Sequence, residues 1–282
     1  MRRAATSHSW RDILAALAFA AFCALPALPA HAQEEMKLVE PGYLTVAVFE
    51  NSLPVIAYDN QDELSGVDGE FLKSFAERHG LKIKLYKTTF ASTILAVQQS
   101  KADIGTWFYY TEDRAKQVRY TLPYLRETAS VFTMESLGYT GLESLADKRV
   151  AVVVGFSFAP YVQKAFKNAT LFPDGITART ALLNGQVDAY VDSSFAISQP
   201  PFVGNGQVKS SVLKAGDLDL PENIAAALDF NFVACGNKGL ATALDEEMKA
   251  LHGNGKWDEM LKGFNLTEES KAPLDAPVQL CE

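Results

Sequence analysis

Residues 101–124, KADIGTWFYYTEDRAKQVRYTLPY, carry the side chains best suited to chemistry in this chain. Thr111 is a good helix N-cap, since its hydroxyl can accept an orphan N–H of the first turn. Glu112 and Asp113 suit the positive end of that turn. Arg114 follows directly. A planar guanidinium beside free backbone N–H groups makes a receptor for a carboxylate. Trp107, Phe108, Tyr109 and Tyr110 sit just ahead of it, on what reads as an aromatic-rich turn after a strand over 102–106. The blander reading makes Arg114 a surface residue and the aromatics core.

Other chemistries find little support. His79 and His252 fall on separate helical stretches, with no Cys or His at metal spacing. Gly155-Phe156-Ser157 lacks the rest of a nucleophile elbow, and no lysine-bearing phosphate loop is present. No metal or cofactor is expected. Glu50, Asp188 and Asp192 are the carboxylates available for acid–base work, and spacing singles out none of them.

The chain has 282 residues. Arg2, Arg3 and Arg11 precede an apolar run from Ile13 to about Leu28, and Ala30-His31-Ala32 fits a small-x-small cleavage site. Residues 1–32 are therefore expected to be a cleaved signal peptide, which places the mature chain in the periplasm. Its removal takes the charged residues from 26 basic and 34 acidic to 23 and 33. An acidic exported chain is a poor candidate for nucleic acid or anionic lipid. Two cysteines survive cleavage, Cys235 and Cys281. In an oxidising compartment an even pair suggests a disulfide, stabilising by about 4 kcal/mol in the chain-entropy picture; two free thiols are the other reading.

The elements that must position Arg114 can be read from periodicity. Tyr43–Phe49 alternates as a strand, and Asp68–His79 places Phe71, Leu72, Phe75 and Ala76 on one helical face before Gly80 stops it. Leu81–Tyr86 is a strand, Thr89–Ser100 a helix and Ala102–Thr106 a third strand. This βαβαβ order implies a parallel sheet with right-handed crossovers. A strand-like segment over Thr128–Met134 leads out of this unit. A second unit follows: Lys148–Val154 as a buried strand, a helix over Pro160–Phe166, a strand at 169–172, a helix over Ile176–Leu183 and a strand over Val187–Val191. A strand at Phe230–Cys235 and helices at 240–251 and 257–264 return to the first unit. Two similar α/β units with two crossings make a hinged cleft.

The order of motifs resembles the amino-acid-binding family (family 3) of periplasmic solute-binding proteins of ABC importers. The pieces are Pro54 with Gly66-Val67-Asp68; Phe90; Ser100-Lys101-Ala102-Asp103; Thr111-x-x-Arg114; Tyr120-Thr121-Leu122-Pro123-Tyr124; Val150–Ser157; and Gly185-Gln186-Val187-Asp188-Ala189. The resemblance implies a type II two-lobe α/β fold, each lobe a mostly parallel sheet flanked by helices. Lobe 1 would hold residues 33–132 and 228–282, and lobe 2 residues 133–227. It implies a monomer that closes on a small carboxylate-bearing ligand and delivers it to an inner-membrane permease. Arg114 matches the carboxylate clamp, Ser157 a second-lobe residue whose backbone N–H assists, and Phe90 a position that stacks on the ligand. Trp107 and Tyr109 fall where family members usually place small or hydroxyl residues that hydrogen-bond the ligand, and Thr106 is a further candidate contact. Phe90, Trp107, Tyr109 and Phe156 would make an apolar or cation–π wall that favours an aromatic, bulky or N-substituted ligand.

Two departures from the family pattern stand out. The Asp103–Thr111 segment is about one residue short. The ammonium-binding aspartate expected five residues after Asp188 is replaced by Ser193, with Asp192 one step earlier. Either Asp192 still reaches the cleft or Glu50 serves instead. The rival reading is an exported enzyme of the cyclohexadienyl dehydratase type, which resembles the same family.

Overall fold

The computed structural model describes residues 35–275 and 277–281; the expected signal peptide lies outside them. Strand β1 (Tyr43–Val48) and the hairpin β2 (Ala57–Tyr58) and β3 (Leu64–Ser65) lead into helix α1 (Val67–Arg78). β4 (Lys82–Lys87), α2 (Thr93–Gln98), β5 (Ile104–Tyr109) and the single turn α3 (Glu112–Ala115) follow, then the long strand β6 (Arg119–Met134). The second half holds β7 (Arg149–Val153), α4 (Ala159–Ala165), β8 (Asn168–Phe172), α5 (Gly175–Leu183), β9 (Ala189–Ser193) and β10 (Val208–Val212). The short α6 (Glu222–Ala225) precedes β11 (Ala226–Val233), α7 (Lys238–Gly253) and α8 (Lys256–Gly263). Among the described residues no helix is long and apolar enough to cross a membrane.

The strands lie in the order β4-β1-β5-β11-β6-β9-β7-β8, with β10 also on β6. β1 is parallel to β4 and β5, and β7 is parallel to β8 and β9. β6 joins the two sets: Arg119–Thr128 pair with β11, whereas Ala129–Met134 pair with β9 and β10. Each half has its own core. α1 buries Phe71, Leu72 and Phe75 against Leu244, Met248 and Trp257 in the first. In the second, Val150 and Val152 pack on Val162 and Val191. Asp103 is a structural acid: its two oxygens accept the N–H groups of Val39 and Thr45, each at 2.7 Å, and so fix the start of β1.

The aromatic stretch is not a turn. Ile104–Tyr109 is one strand, and its pairing with β11 contains a bulge. Phe108 opposes Phe230 and Gly105 opposes Phe232, so Thr106 and Trp107 together face Asn231. Trp107 takes up the extra residue at φ 58°, a conformation that is rare and costly for a bulky side chain. The periodicity of a single strand carries no information about such a two-against-one pairing. Gly105 is required beside it, because a Cβ there would lie 2.1 Å from the Phe232 ring. β6 also begins nine residues before the expected segment, and β10 was not anticipated.

Candidate functional site

Arg114 stands where the two halves meet. Thr111 Oγ1 accepts the Arg114 N–H at 3.3 Å and starts the one-turn helix. The side chain then turns inward, with only 9% of the residue exposed. One guanidinium nitrogen donates to the Tyr109 carbonyl at 2.9 Å. The other donates to the Gly155 carbonyl of the second half at 2.8 Å. The guanidinium lies over the Phe108 and Phe90 rings at 4.9 and 5.4 Å, which themselves stack at 4.2 Å. Burial lowers the Arg114 pKa, opposed by Tyr120 and Tyr109, but from so high a start that the cation persists. Two carbonyls and the Tyr120 hydroxyl engage part of the guanidinium's five N–H donors, which leaves others for a carboxylate.

A cavity opens beside it. Of the residues expected at the site, the structure brings Arg114, Tyr109, Trp107, Phe90, Phe156, Ser157 and Asp192 to its lining. Ser157 sits on the turn between β7 and α4. Phe49 adds a face stacked on Trp107 at 5.8 Å. The space open to the centre of a water molecule is only about 30 Å³, room for one or two waters. Next to it lies a larger cavity of about 350 Å³ by the same measure. Phe49, Phe90 and Phe156 line both and so form the partition, with Phe156 edge-on to Phe90 at 4.7 Å.

Two expected residues are elsewhere. Thr106 is wholly buried, and its hydroxyl donates to the Ala47 carbonyl at 3.4 Å, because the bulge turns it to the β1 side. Glu50 faces the larger cavity rather than Arg114. It forms a buried ion pair with Arg179 of α5, and so bridges the two halves. Gly175 permits this approach, since a Cβ would lie 2.6 Å from Arg179 Nη1 and 2.9 Å from both Glu50 oxygens.

Both Asp192 and Ser193 line the small cavity, but the Asp192 carboxylate is committed. One oxygen accepts the Tyr190 hydroxyl and lies 3.7 Å from Arg179. The other accepts the Ser193 N–H at 2.6 Å. Burial pushes its pKa up to about 7, against the pull of Arg179 and Tyr190. Asp188 is not on the cavity lining; it ties Arg149 at the start of β7 at 2.7 Å.

Sequence reasoning missed Glu127. It lies on β6 where that strand nears its change of partner, 3% exposed, and lines the cavity. Trp107 Nε1 donates to Glu127 Oε1 at 3.1 Å. Behind it, Asp229 of β11 is wholly buried. Burial raises both carboxyls, Asp229 well above its usual range, where the neighbouring Glu127 raises it further. Arg126-Glu127 reads as a solvated pair on a strand; only the register of β6 shows that Arg126 is exposed and Glu127 is not.

Residues 44–267 match the bacterial extracellular solute-binding proteins, family 3. The amino-acid-binding protein AabA of Dichelobacter nodosus is 22% identical over 227 residues, covering 78% of this chain and 87% of its own. The cyclohexadienyl dehydratase of Pseudomonas aeruginosa is 24% identical over 187 residues, covering 64% and 70%. Among solved structures, the substrate-binding protein of an amino acid ABC transporter superposes with a TM-score of 0.72 at 20% identity, over 79% of this chain and 99% of that one. The two-lobe α/β architecture, the cleft and the match across most of the described chain agree: the protein belongs to the bacterial extracellular solute-binding proteins, family 3.

Proposed function

We propose that this protein is exported to the periplasm through a cleaved signal peptide, binds a small carboxylate-bearing ligand of amino-acid type as a monomer, and presents it to an inner-membrane ABC permease. The observation that supports this best is Arg114, a buried cation held by carbonyls from both halves in an aromatic-walled cavity. A carboxylate there would take the remaining guanidinium donors and draw the halves together. A ligand of amino-acid size exceeds the small cavity of about 30 Å³, so the Phe49, Phe90 and Phe156 partition must give way and merge the small and large cavities. A hinge in β6, where its partners change, and in the entry to β11 would allow this motion. AabA, named as an amino-acid-binding protein, lends support. A thermal-shift screen over amino acids, opines, betaines and aromatic acids tests the reading. A ligand that binds only the native state raises the melting temperature, and that rise should vanish in Arg114→Ala. No rise with any member would count against it.

A second reading is enzymatic. Two acids line the cavity that Arg114 enters, and Asp192 is pushed to about 7, where a carboxyl can give or take a proton near neutrality. The likeness to a cyclohexadienyl dehydratase supports it. Incubation with prephenate or arogenate separates the readings: an aromatic product indicates the enzyme, and its absence indicates binding alone.

A further inference from the structure

Two neighbouring carboxyls, Glu127 on the cavity lining and Asp229 behind it, have no protein cation among the groups acting on them. Among the described residues neither oxygen of Asp229 makes a well-formed hydrogen bond, and neither does Glu127 Oε2; the groups within reach of Glu127 are the neutral Ser193 and Tyr109 hydroxyls, the Trp107 indole and the Asp229 carboxyl itself. The charged groups acting on Asp229 are the carboxylates of Glu127 and Asp68. Asp192, at the same cavity, already has Tyr190, Arg179 and the Ser193 N–H. No cluster among the described residues could hold a metal ion. A buried acid pair is neutralised either by one shared proton or by a positive group brought from outside.

The cavity gives the second route access to Glu127. Glu127 lines the cavity, whereas Asp229 stands behind it. Trp107 anchors one Glu127 oxygen through its indole N–H and leaves the other without a well-formed hydrogen bond. The same Trp107 is the strained residue of the β5 bulge, and backbone strain of this kind persists where a site needs a side chain aimed. Its ring and that of Phe49, stacked on one another, give the cavity faces that attract cations. Arg114 lines the same cavity.

We infer that Glu127, backed by Asp229, is the receptor for a cationic nitrogen on the ligand, so that the site takes a compact zwitterion with its carboxylate at Arg114 and its ammonium at Glu127. This rests on the carboxylate-binding reading of the same cavity. It moves the ammonium contact from the second half, where Asp192 is already used, to the strand that joins the halves. Filling the receptor would then neutralise the carboxylate pair at the point where β6 changes partner, and so couple occupancy to the hinge.

The test is calorimetric titration with the twenty protein amino acids and their N-methyl forms, each beside the same acid lacking the nitrogen. The wild type should bind the best zwitterion at least about tenfold more tightly than its nitrogen-free partner. Glu127→Gln keeps an acceptor for Trp107 and removes the charge. It should lose that preference, the nitrogen-free acid binding no more weakly than to the wild type because a like charge has been removed from the cavity. Equal binding of both members of a pair by the wild type overturns the inference without any variant, so a Glu127→Gln chain that failed to fold would not protect it. An unchanged preference in a folded Glu127→Gln overturns it as well, leaving a shared proton as the neutralising charge. In both cases loss of binding in Arg114→Ala would keep the carboxylate reading. Binding of neither member of any pair would remove that reading and the inference together.

Discussion

Glu50 and Arg179 meet across the cleft with almost no water around them, and each is costly without the other. Burying two charges is repaid only while both are present. Glu50→Ala leaves the Arg179 guanidinium with Asp192 at 3.7 Å as its remaining carboxylate. This change should cost about 3–5 kcal/mol in urea unfolding. The paired replacement Glu50→Leu with Arg179→Met should recover most of that loss, because an apolar pair needs no compensation. A Glu50→Ala protein as stable as the wild type would show that the pair is solvated and not a latch. Glu127 stands in contrast: it has a similar burial and no cation, which is why the two acids are assigned different work.

At the scale of elements, the disulfide between Cys235 and Cys281 fastens the described tail to the end of β11, with Cα atoms 5.6 Å apart. The bond closes a separation of 46 residues, and removing it by Cys→Ser at both positions should lower stability by about 4 kcal/mol in the chain-entropy picture. Arg119 also donates to the Cys235 and Cys281 carbonyls. A melting temperature unchanged by the double replacement would mean those contacts alone hold the tail.

Much of this level was legible in the sequence. The α1 stripe of Phe71, Leu72 and Phe75 and the Thr111 cap follow from local spacing, and local spacing was enough. Sequence reasoning misplaces Thr106, reads the strand path through Trp107 as a turn and overlooks Glu127, all for one reason: these features depend on a partner strand. The bulge opposite Asn231 shifts the β5 register by one residue, and one residue exchanges the faces of a strand. Glu127 beside Arg126 has the composition of a surface, and only the pairing of β6 with β11 turns it inward.

The whole molecule carries an unusual load of buried acid around its central strands. Asp68, at the start of α1, accepts from Asn231 Nδ2 at 2.7 Å, yet burial pushes its pKa up to about 7. Asp192 reaches about 7 as well. Both start from 3.8 in the unfolded chain. Between about pH 4 and 7 the folded state therefore holds protons that the unfolded chain has released, and stability falls as pH rises through that window. The exposed pairs of Asp188, Asp219 and Asp258 have lowered pKa values and act in the opposite sense only at more acidic pH. The melting temperature should thus be higher at pH 5 than at pH 8, and Asp68→Asn should narrow the difference. A profile that climbs steadily from pH 5 to 8 would contradict these shifts.

Across the molecule, two halves with separate cores share β6, and the cation at their junction touches both. The most direct measurement is the dissociation constant of the best carboxylate ligand for the wild type and for Arg114→Ala, by calorimetry on the folded proteins. Charge-assisted hydrogen bonds contribute roughly 1.5–3 kcal/mol, so the variant should bind at least about tenfold more weakly. Equal dissociation constants would show that the anion is held elsewhere and that Arg114 only props the two halves together.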